Sequence, residues 1–252
     1  MKIVTFNLRC DNDHDGENRW QFRKGIVLDR LEAEAPDVVG FQEVKPGMAD
    51  FLRRHWNGYL CVGCGRGEAF DGENNMIGFR ADRFELMQLE TFWLSETPNL
   101  PGSRYPGQSS CPRVCTHALL RPLEGARLFH VYNTHLDHVS DEARVLGAQA
   151  ILRHIDADLA RWPAPLVVTG DMNAEPDSPA VALFEQSLVN ETPGFVASYH
   201  GFGACPEHPQ IDYIFSRGFT AARPPVAWSE LSFGKHLSDH NALCAFLEMN
   251  EK

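Results

Sequence analysis

Three short segments of this chain set a carboxylate beside a second polar side chain in ways that suit work on water and phosphate. Gly170-Asp171-Met172-Asn173 follows an apolar run, so Asp171 and Asn173 leave it on a tight turn at positions i and i+2. A carboxylate beside an amide orients a water and takes its proton; alone, the tetrapeptide reads equally well as an Asx-rich turn. Ser238-Asp239-His240 joins a metal-capable carboxylate to an imidazole that can donate to a phosphate oxygen, a weak signal by itself because most of the 11 histidines must be ordinary surface or core residues. In Ile211-Asp212-Tyr213-Ile214-Phe215 a single acid sits inside an apolar strand, where burial is costly unless the charge is paired. His240 is the expected partner, since a carboxylate on the second ring nitrogen fixes the tautomer and stabilises the protonated ring. A solvent-facing acid on an edge strand is the alternative.

Glu43 closes the apolar run 37–43 and is a natural oxygen ligand for Mg²⁺, which takes one or two protein carboxylates and keeps several waters. Asn7, at the end of the alternating run 2–6, can complete that coordination or bind phosphate. Asn133-Thr134-His135-Leu136-Asp137-His138 adds an imidazole, His135, placed to protonate a leaving oxygen, while Asp137 and His138 read equally as loop polarity.

These residues need a frame that delivers them to one place. Residues 2–6, 37–43, 59–62, 75–79, 84–93, 114–120, 128–134, 166–169, 211–215, 220–228 and 242–247 have the β-rich, alternating or continuously apolar character of strands. Trp20, Val27, Leu28, Leu31 and Ala35 recur at helical spacing until Pro36 ends the helix. Short helices are expected at 48–55 and 178–186. Ser140 should cap a longer one whose buried stripe is Val145, Ala148, Leu152, Ile155 and Leu159, ended by Pro163 and Pro165. Segments 10–18 and 95–112 read as loops. Strands outnumber helices and at least two strand-helix-strand units occur, so a mixed sheet architecture with helices outside is the favoured solution. Asn7, Glu43, His135, Asp171 and Asp212 all stand at strand ends, where sheets place their sites.

Composition narrows the function class. The formal net charge of −11 disfavours tracking of a long polyanion, so a nuclease acting on duplex DNA is a secondary reading. Arg9, Arg19, Arg23, Arg113 and Arg144 could still build a local basic pocket, although any one arginine reads first as a solvated surface group. At 252 residues with 43% hydrophobic content, the chain is expected to form one domain over residues 1–252 with a core that needs no staple. No stretch has the length of a signal peptide or membrane span, and seven cysteines in no framework spacing fit a reducing compartment. A cytoplasmic protein without membrane insertion is the expectation.

Taken in order, Asn7, Gln42-Glu43, Asn133-Thr134-His135-Leu136, Gly170-Asp171-Met172-Asn173, Ile211-Asp212-Tyr213 and Ser238-Asp239-His240 form a pattern that resembles the endonuclease/exonuclease/phosphatase superfamily across nearly the whole chain. Phe92-Trp93-Leu94-Ser95-Glu96-Thr97-Pro98 and the segment 138–144 resemble a bacterial branch related to its deadenylase-like members. The resemblance implies an α/β fold, mixed α+β, in four layers: two mixed sheets face to face with helices outside. It implies Mg²⁺- or Mn²⁺-dependent attack of water on phosphorus. By position, Glu43 becomes the main metal ligand with Asn7 and Asp239 nearby. Asp171 activates water, Asn173 holds the scissile phosphate, His240 stabilises developing charge and Asp212 orients it. His135 matches the other active-site histidine, and Arg144 is a further phosphate contact.

Cys61-Val62-Gly63-Cys64 departs from that pattern, and with Cys111 and Cys115 it admits a four-thiolate zinc or redox reading; free thiols are the simpler one. A catalytically inert binding module on the same fold is a further alternative, as fold does not guarantee activity. The substrate expected is a small phosphate ester, a nucleotide or a short single strand. The loops 10–18, 95–112 and 196–209 that would select it carry no readable code, though Trp93, Tyr105, Tyr199 and Phe202 could stack on a base. No obligate protein partner is readable.

Overall fold

A computed structural model of the chain describes residues 1–125, 127–195, 198–207 and 209–250. Twelve strands form two six-stranded sheets. The first runs β11 (Phe219–Trp228), β12 (Ala242–Met249), β1 (Lys2–Asn7), β2 (Val38–Val44), β4 (Asn74–Arg80), β3 (Tyr59–Val62). The second runs β5 (Phe84–Trp93), β6 (Val114–Pro122), β7 (Phe129–His135), β8 (Leu166–Asp171), β10 (Asp212–Arg217), β9 (Val189–Asn190). Only β1 with β2 and β7 with β8 pair in parallel. Each of these pairs is joined by a helix, α1 (Trp20–Glu34) and α3 (Asp141–Arg161), as parallel strands require a long crossover. Two shorter helices, α2 (Pro46–His55) and α4 (Pro179–Glu185), complete the outer layers.

Three apolar clusters account for the four layers. Ile3, Val38, Phe79, Leu120, Phe129, Ile214 and Leu247 fill the space between the sheets. Val27 and Leu31 of α1 and Met48 and Leu52 of α2 cover the outer face of the first sheet with Val4, Phe6 and Phe41. Ala148, Ile151 and Ile155 of α3 and Phe184 of α4 cover the second with Tyr132, Val168 and Phe215. Burial on both faces lets central strands such as β2 and β8 begin as continuous apolar runs instead of alternations.

Toward the site the inter-sheet contact turns polar. Gln42 donates to Asn133 Oδ1 at 2.7 Å, and Asn133 Nδ2 donates to the carbonyls of Phe41 and Met76 at 2.7 and 3.0 Å. Thr169 donates to the same Asn133 oxygen at 3.1 Å. The sheets approach so closely here that a Cβ on Gly40 would lie 2.0 Å from Thr169 Oγ1. Asn133 therefore fastens the sheets together beneath the chemistry.

Local expectations fared unevenly. Ser140 caps α3 by accepting from the Ala143 amide at 3.2 Å, and Ala35 leaves α1 in the left-handed region before Pro36. The buried face of α3, however, is Ala143, Gly147, Ala148, Ala150, Ile151 and Ile155. Val145, Leu152 and Leu159 lie at its margin, because the close helix-sheet contact admits small residues at the centre and leaves longer ones at the edges. Segment 10–18 is not all loop: Asp13–Asn18 winds as a 3₁₀ helix capped by Asn12. Of the expected selecting loop 196–209, residues 196, 197 and 208 lie outside the described residues.

Candidate active site

The two sheets bring their polar strand ends together in a cleft of about 430 Å³ whose lining includes Glu43, His135, Asp171, Asn173, Asp239 and His240. A hollow of about 620 Å³ lies elsewhere, between the starts of α1 and α2, and has no paired acid and imidazole of this kind in its lining. The smaller one gathers the candidate site residues.

Backbone geometry aims several of these side chains. Glu43 has φ 61° and Asn173 φ 46°, left-handed values that non-glycine residues adopt only where the surroundings hold them. At Glu43 the cause is visible: the register between β2 and β4 shifts between Phe41 and Val44, and this bulge turns the carboxylate out of the strand. Arg9, at φ 53°, faces the same cleft.

Asn7 bridges two acids: its Nδ2 lies 3.1 Å from Glu43 Oε1 and 2.9 Å from Asp171 Oδ2, while its Oδ1 accepts from the Arg9 amide at 2.9 Å. Its nitrogen thus contacts both carboxylates, and its oxygen keeps one lone pair beyond the bond to the Arg9 amide. Glu43 also accepts from the Cys10 amide at 2.9 Å. Burial raises its pKa, but that amide, His240, Asn7 and Arg9 outweigh burial and hold it below the ordinary value. Asp239 goes the other way: burial, with Glu43 adding to it, raises its pKa against the pull of His240 and Arg9.

Asp171 is the hub. Its Oδ1 accepts from the Asn173 amide at 2.9 Å, and its Oδ2 lies 3.6 Å from His135 Nε2 and 3.7 Å from His240 Nε2. Burial and then the Asp212 charge raise its pKa, which makes it a stronger base than a free aspartate. His240 Nδ1 is 2.8 Å from Asp212 Oδ2. Burial opposes protonation of that ring, yet Asp212, Asp239 and Asp171 together lift its pKa to about 10. His135 is the converse: burial and the nearby Arg113 and Arg66 push its pKa far down and keep it neutral.

The donor set suits a hard divalent cation. Glu43 and Asp239 offer carboxylate oxygens in a buried site where carboxylates repel one another, and such a site favours Mg²⁺ or Mn²⁺ over softer ions. Ligand atoms of Asp171, Asp212 and His240 also lie within 4.8 Å of one another. The 2.8 Å hydrogen bond already satisfies the His240–Asp212 pair, so we read these three as the proton-handling group and the Glu43 side as the metal seat.

Of the remaining expected residues, Arg144 does not line the cleft. It stands on α3 with its guanidinium on the Asp137 carbonyl at 2.8 Å and on the Asp141 carboxylate, both supplied by its own end of the helix. Arg23 is buried and binds the carbonyls of Leu8, Leu237 and Arg9, clamping loops together. Arg66 and Arg113 line the cleft, and Arg144 does not. Arg66 carried no motif, and Arg113 differed from other arginines only in preceding an apolar strand. The seven cysteines are free; Cys61 is held up to about 12 by burial, and no cysteine belongs to a metal-capable group among the described residues.

No match was found among curated proteins. Among solved structures, an endonuclease/exonuclease/phosphatase from Bacteroides vulgatus is 31% identical, covers 99% of this chain and 98% of its own, and superposes with a TM-score of 0.93. A functionally unknown conserved protein from Enterococcus faecalis is 28% identical over 99% and 100% of the two chains, with a TM-score of 0.91. The mannosyl-6-phosphatase Bt3783 of Bacteroides thetaiotaomicron, 23% identical over 99% and 100%, shares the fold with a TM-score of 0.90. The sequence itself matches the Endonuclease/Exonuclease/phosphatase family over residues 4–240, and with that span and that fold the chain belongs to this family.

Proposed function

We propose that the protein is a hydrolase that cleaves an ester of phosphoric acid in a small compound, nucleotide or oligonucleotide, with Mg²⁺ or Mn²⁺ held by Glu43 and Asp239. The observation that carries this reading is the setting of Asp171, whose buried carboxylate has its pKa raised and lies between Asn7, Asn173, His135 and His240.

Asp171 takes a proton from water as the water oxygen bonds to phosphorus and the ester oxygen leaves with its electron pair. Asn173, its amide nitrogen anchored on the Leu136 carbonyl at 3.0 Å, keeps the scissile phosphate in register. His240, positively charged below about pH 10, stabilises the charge that builds on the phosphoryl oxygens, and Asp212 holds its ring. Neutral His135 donates a hydrogen bond to the leaving oxygen. The divalent ion supplies charge neutralisation and Lewis acidity when bound. Phosphate-ester hydrolysis is so slow unaided that positioning and charge neutralisation are the protein's main contributions.

Release of p-nitrophenol from bis-p-nitrophenyl phosphate and p-nitrophenyl phosphate tests the reading, with Mg²⁺, with Mn²⁺ and with chelator. Metal-dependent release that disappears in Asp171→Ala is expected; release that survives chelation or the substitution would overturn the assignment.

A further inference from the structure

The cleft has two ends of opposite character. One is the hydrolytic cluster at the ends of β1, β2, β8 and β10. The other is formed by Arg66, Glu73, Arg113 and His138, of which Arg113 and Arg66 enter the chemistry above only by keeping His135 neutral.

Arg113 is the anomaly there. It is only 4% exposed, its Nη2 lies 2.7 Å from His138 Nδ1, and its Nε and Nη1 have no hydrogen-bond partner. Asp137 stands nearest, but its Oδ2 is 3.7 Å from Nε and it already accepts from the Ser109 hydroxyl and the amides of Ser109, Val139 and Ser140. Arg66 is matched by Glu73 at 2.9 Å. A guanidinium keeps its charge under all ordinary conditions, and burying it with unmet donors is expensive unless an anion completes it. Because a guanidinium only donates, His138 Nδ1 must accept, which leaves the proton on Nε2 as one more donor in the cleft lining.

Arg113 immediately precedes β6 and Asp171 ends β8, with β7 between them. Two strand spacings make ~10 Å at the backbone. A cleft of about 430 Å³ has the size of a small-molecule site that can take one anionic group over Asp171 and a second at Arg113.

We propose that Arg113, flanked by Arg66 and His138, is a subsite for a second anionic group, phosphate or carboxylate, on the same small molecule whose phosphate ester is cleaved. The proposal rests on the phosphoesterase reading for the first group only.

Two substrate pairs test it: fructose 6-phosphate against fructose 1,6-bisphosphate, and glycerol 3-phosphate against 3-phosphoglycerate. Within at least one pair, wild type should favour the doubly anionic member about tenfold or more in kcat/KM, the size of a charged hydrogen bond. The favoured pair tells whether phosphate or carboxylate is the second group. Arg113→Gln should bring that ratio to within about threefold of unity, and Arg113→Lys, which keeps the charge without the fork, should retain part of it. Equal ratios in wild type, or a preference that Arg113→Gln leaves intact in a protein of native circular dichroism, would overturn the subsite. Calorimetric titration of the same four compounds into Asp171→Asn with Mg²⁺ gives the affinity ratio without turnover. Selective binding together with no metal-dependent release from either p-nitrophenyl ester by wild type would defeat the phosphoesterase reading and keep the subsite; equal binding would defeat the subsite.

Discussion

Nδ1 of His240, which leads into β12 of one sheet, stands 2.8 Å from Oδ2 of Asp212, the first residue of β10 in the other. The contact spans the gap between the sheets, and its electrostatic effect is testable without substrate. In chelator-treated protein the His240 ring should titrate near pH 10, and Asp212→Asn should lower that value by about 2 units, the usual effect of removing an adjacent opposite charge. Imidazole resonances followed by NMR against pH give both values. The folded pKa lies above the unfolded 6.5, so the pair's contribution to stability is complete below pH 6.5 and is lost as pH rises through 10. The stability difference between wild type and Asp212→Asn should accordingly shrink across that window; a constant difference would show that Asp212 does not hold the proton on His240.

Asn7 contacts Glu43 and Asp171 through one nitrogen, at 3.1 and 2.9 Å, and so fixes the separation of the metal carboxylate from the base. Asn7→Ala should weaken Mn²⁺ binding about tenfold to a hundredfold, as expected for loss of a group that orients a ligand. Calorimetric titration of Mn²⁺ measures it. Affinity unchanged from wild type would mean that Glu43 is held by the Cys10 amide alone.

What the sequence made legible was the set of strand ends. Asp171, Asp212 and Glu43 each close or open an apolar run, and the structure buries Asp171 and Asp212 at the strand ends, against the solvent-facing alternative for Asp212. The pairing of Asp212 with His240 followed from the cost of burying an acid. What stayed hidden depends on how distant segments meet. The bulge that turns Glu43 outward exists only in the register of β2 against β4, and Arg113 became unusual only when burial removed the water that would have satisfied its guanidinium. Arg144, which the resemblance implied as a phosphate contact, stands away from the cleft for a related reason: Asp141, one helical turn away on α3, claims its charge.

Asn133 is the polar fastener between the sheets, and its removal takes a partner from several groups at once. In Asn133→Ala the carbonyls of Phe41 and Met76 lose their side-chain donor in the closed interior, while Gln42 keeps Thr5 Oγ1 and the Gly40 carbonyl and Thr169 keeps the Tyr132 carbonyl. Destabilisation of about 3 kcal/mol is expected, from buried groups that lose a partner. Urea unfolding measures it, and a loss under about 1 kcal/mol would indicate that water enters the gap and replaces the amide.

A second buried group of histidines should make the protein acid-sensitive for reasons unrelated to catalysis. His117 Nε2 lies 2.9 Å from His130 Nδ1, and His130 Nε2 lies 2.9 Å from the Trp162 carbonyl. Since a carbonyl only accepts, His130 must donate from Nε2 and, when neutral, accept at Nδ1, so His117 donates from Nε2 and its Nδ1 carries a lone pair. That nitrogen has no hydrogen-bond partner and lies 3.4 Å from the Asp158 carboxylate, which also accepts from Tyr132. Burial outweighs the pull of Asp158 and lowers the His117 pKa to about 4. The unfolded state therefore binds more protons between pH 4 and 6.5, and stability is full above 6.5 and falls as pH drops through that window. The loss from this one ring approaches about 3 kcal/mol at the acid end. His117→Gln, which cannot titrate, should lose less stability than wild type between pH 7 and 5 in urea unfolding. Parallel losses in the two proteins would mean that His117 takes up its proton equally in the folded and unfolded states, and a larger loss in His117→Gln would mean that Asp158 keeps the folded ring protonated; either would overturn the neutral buried ring.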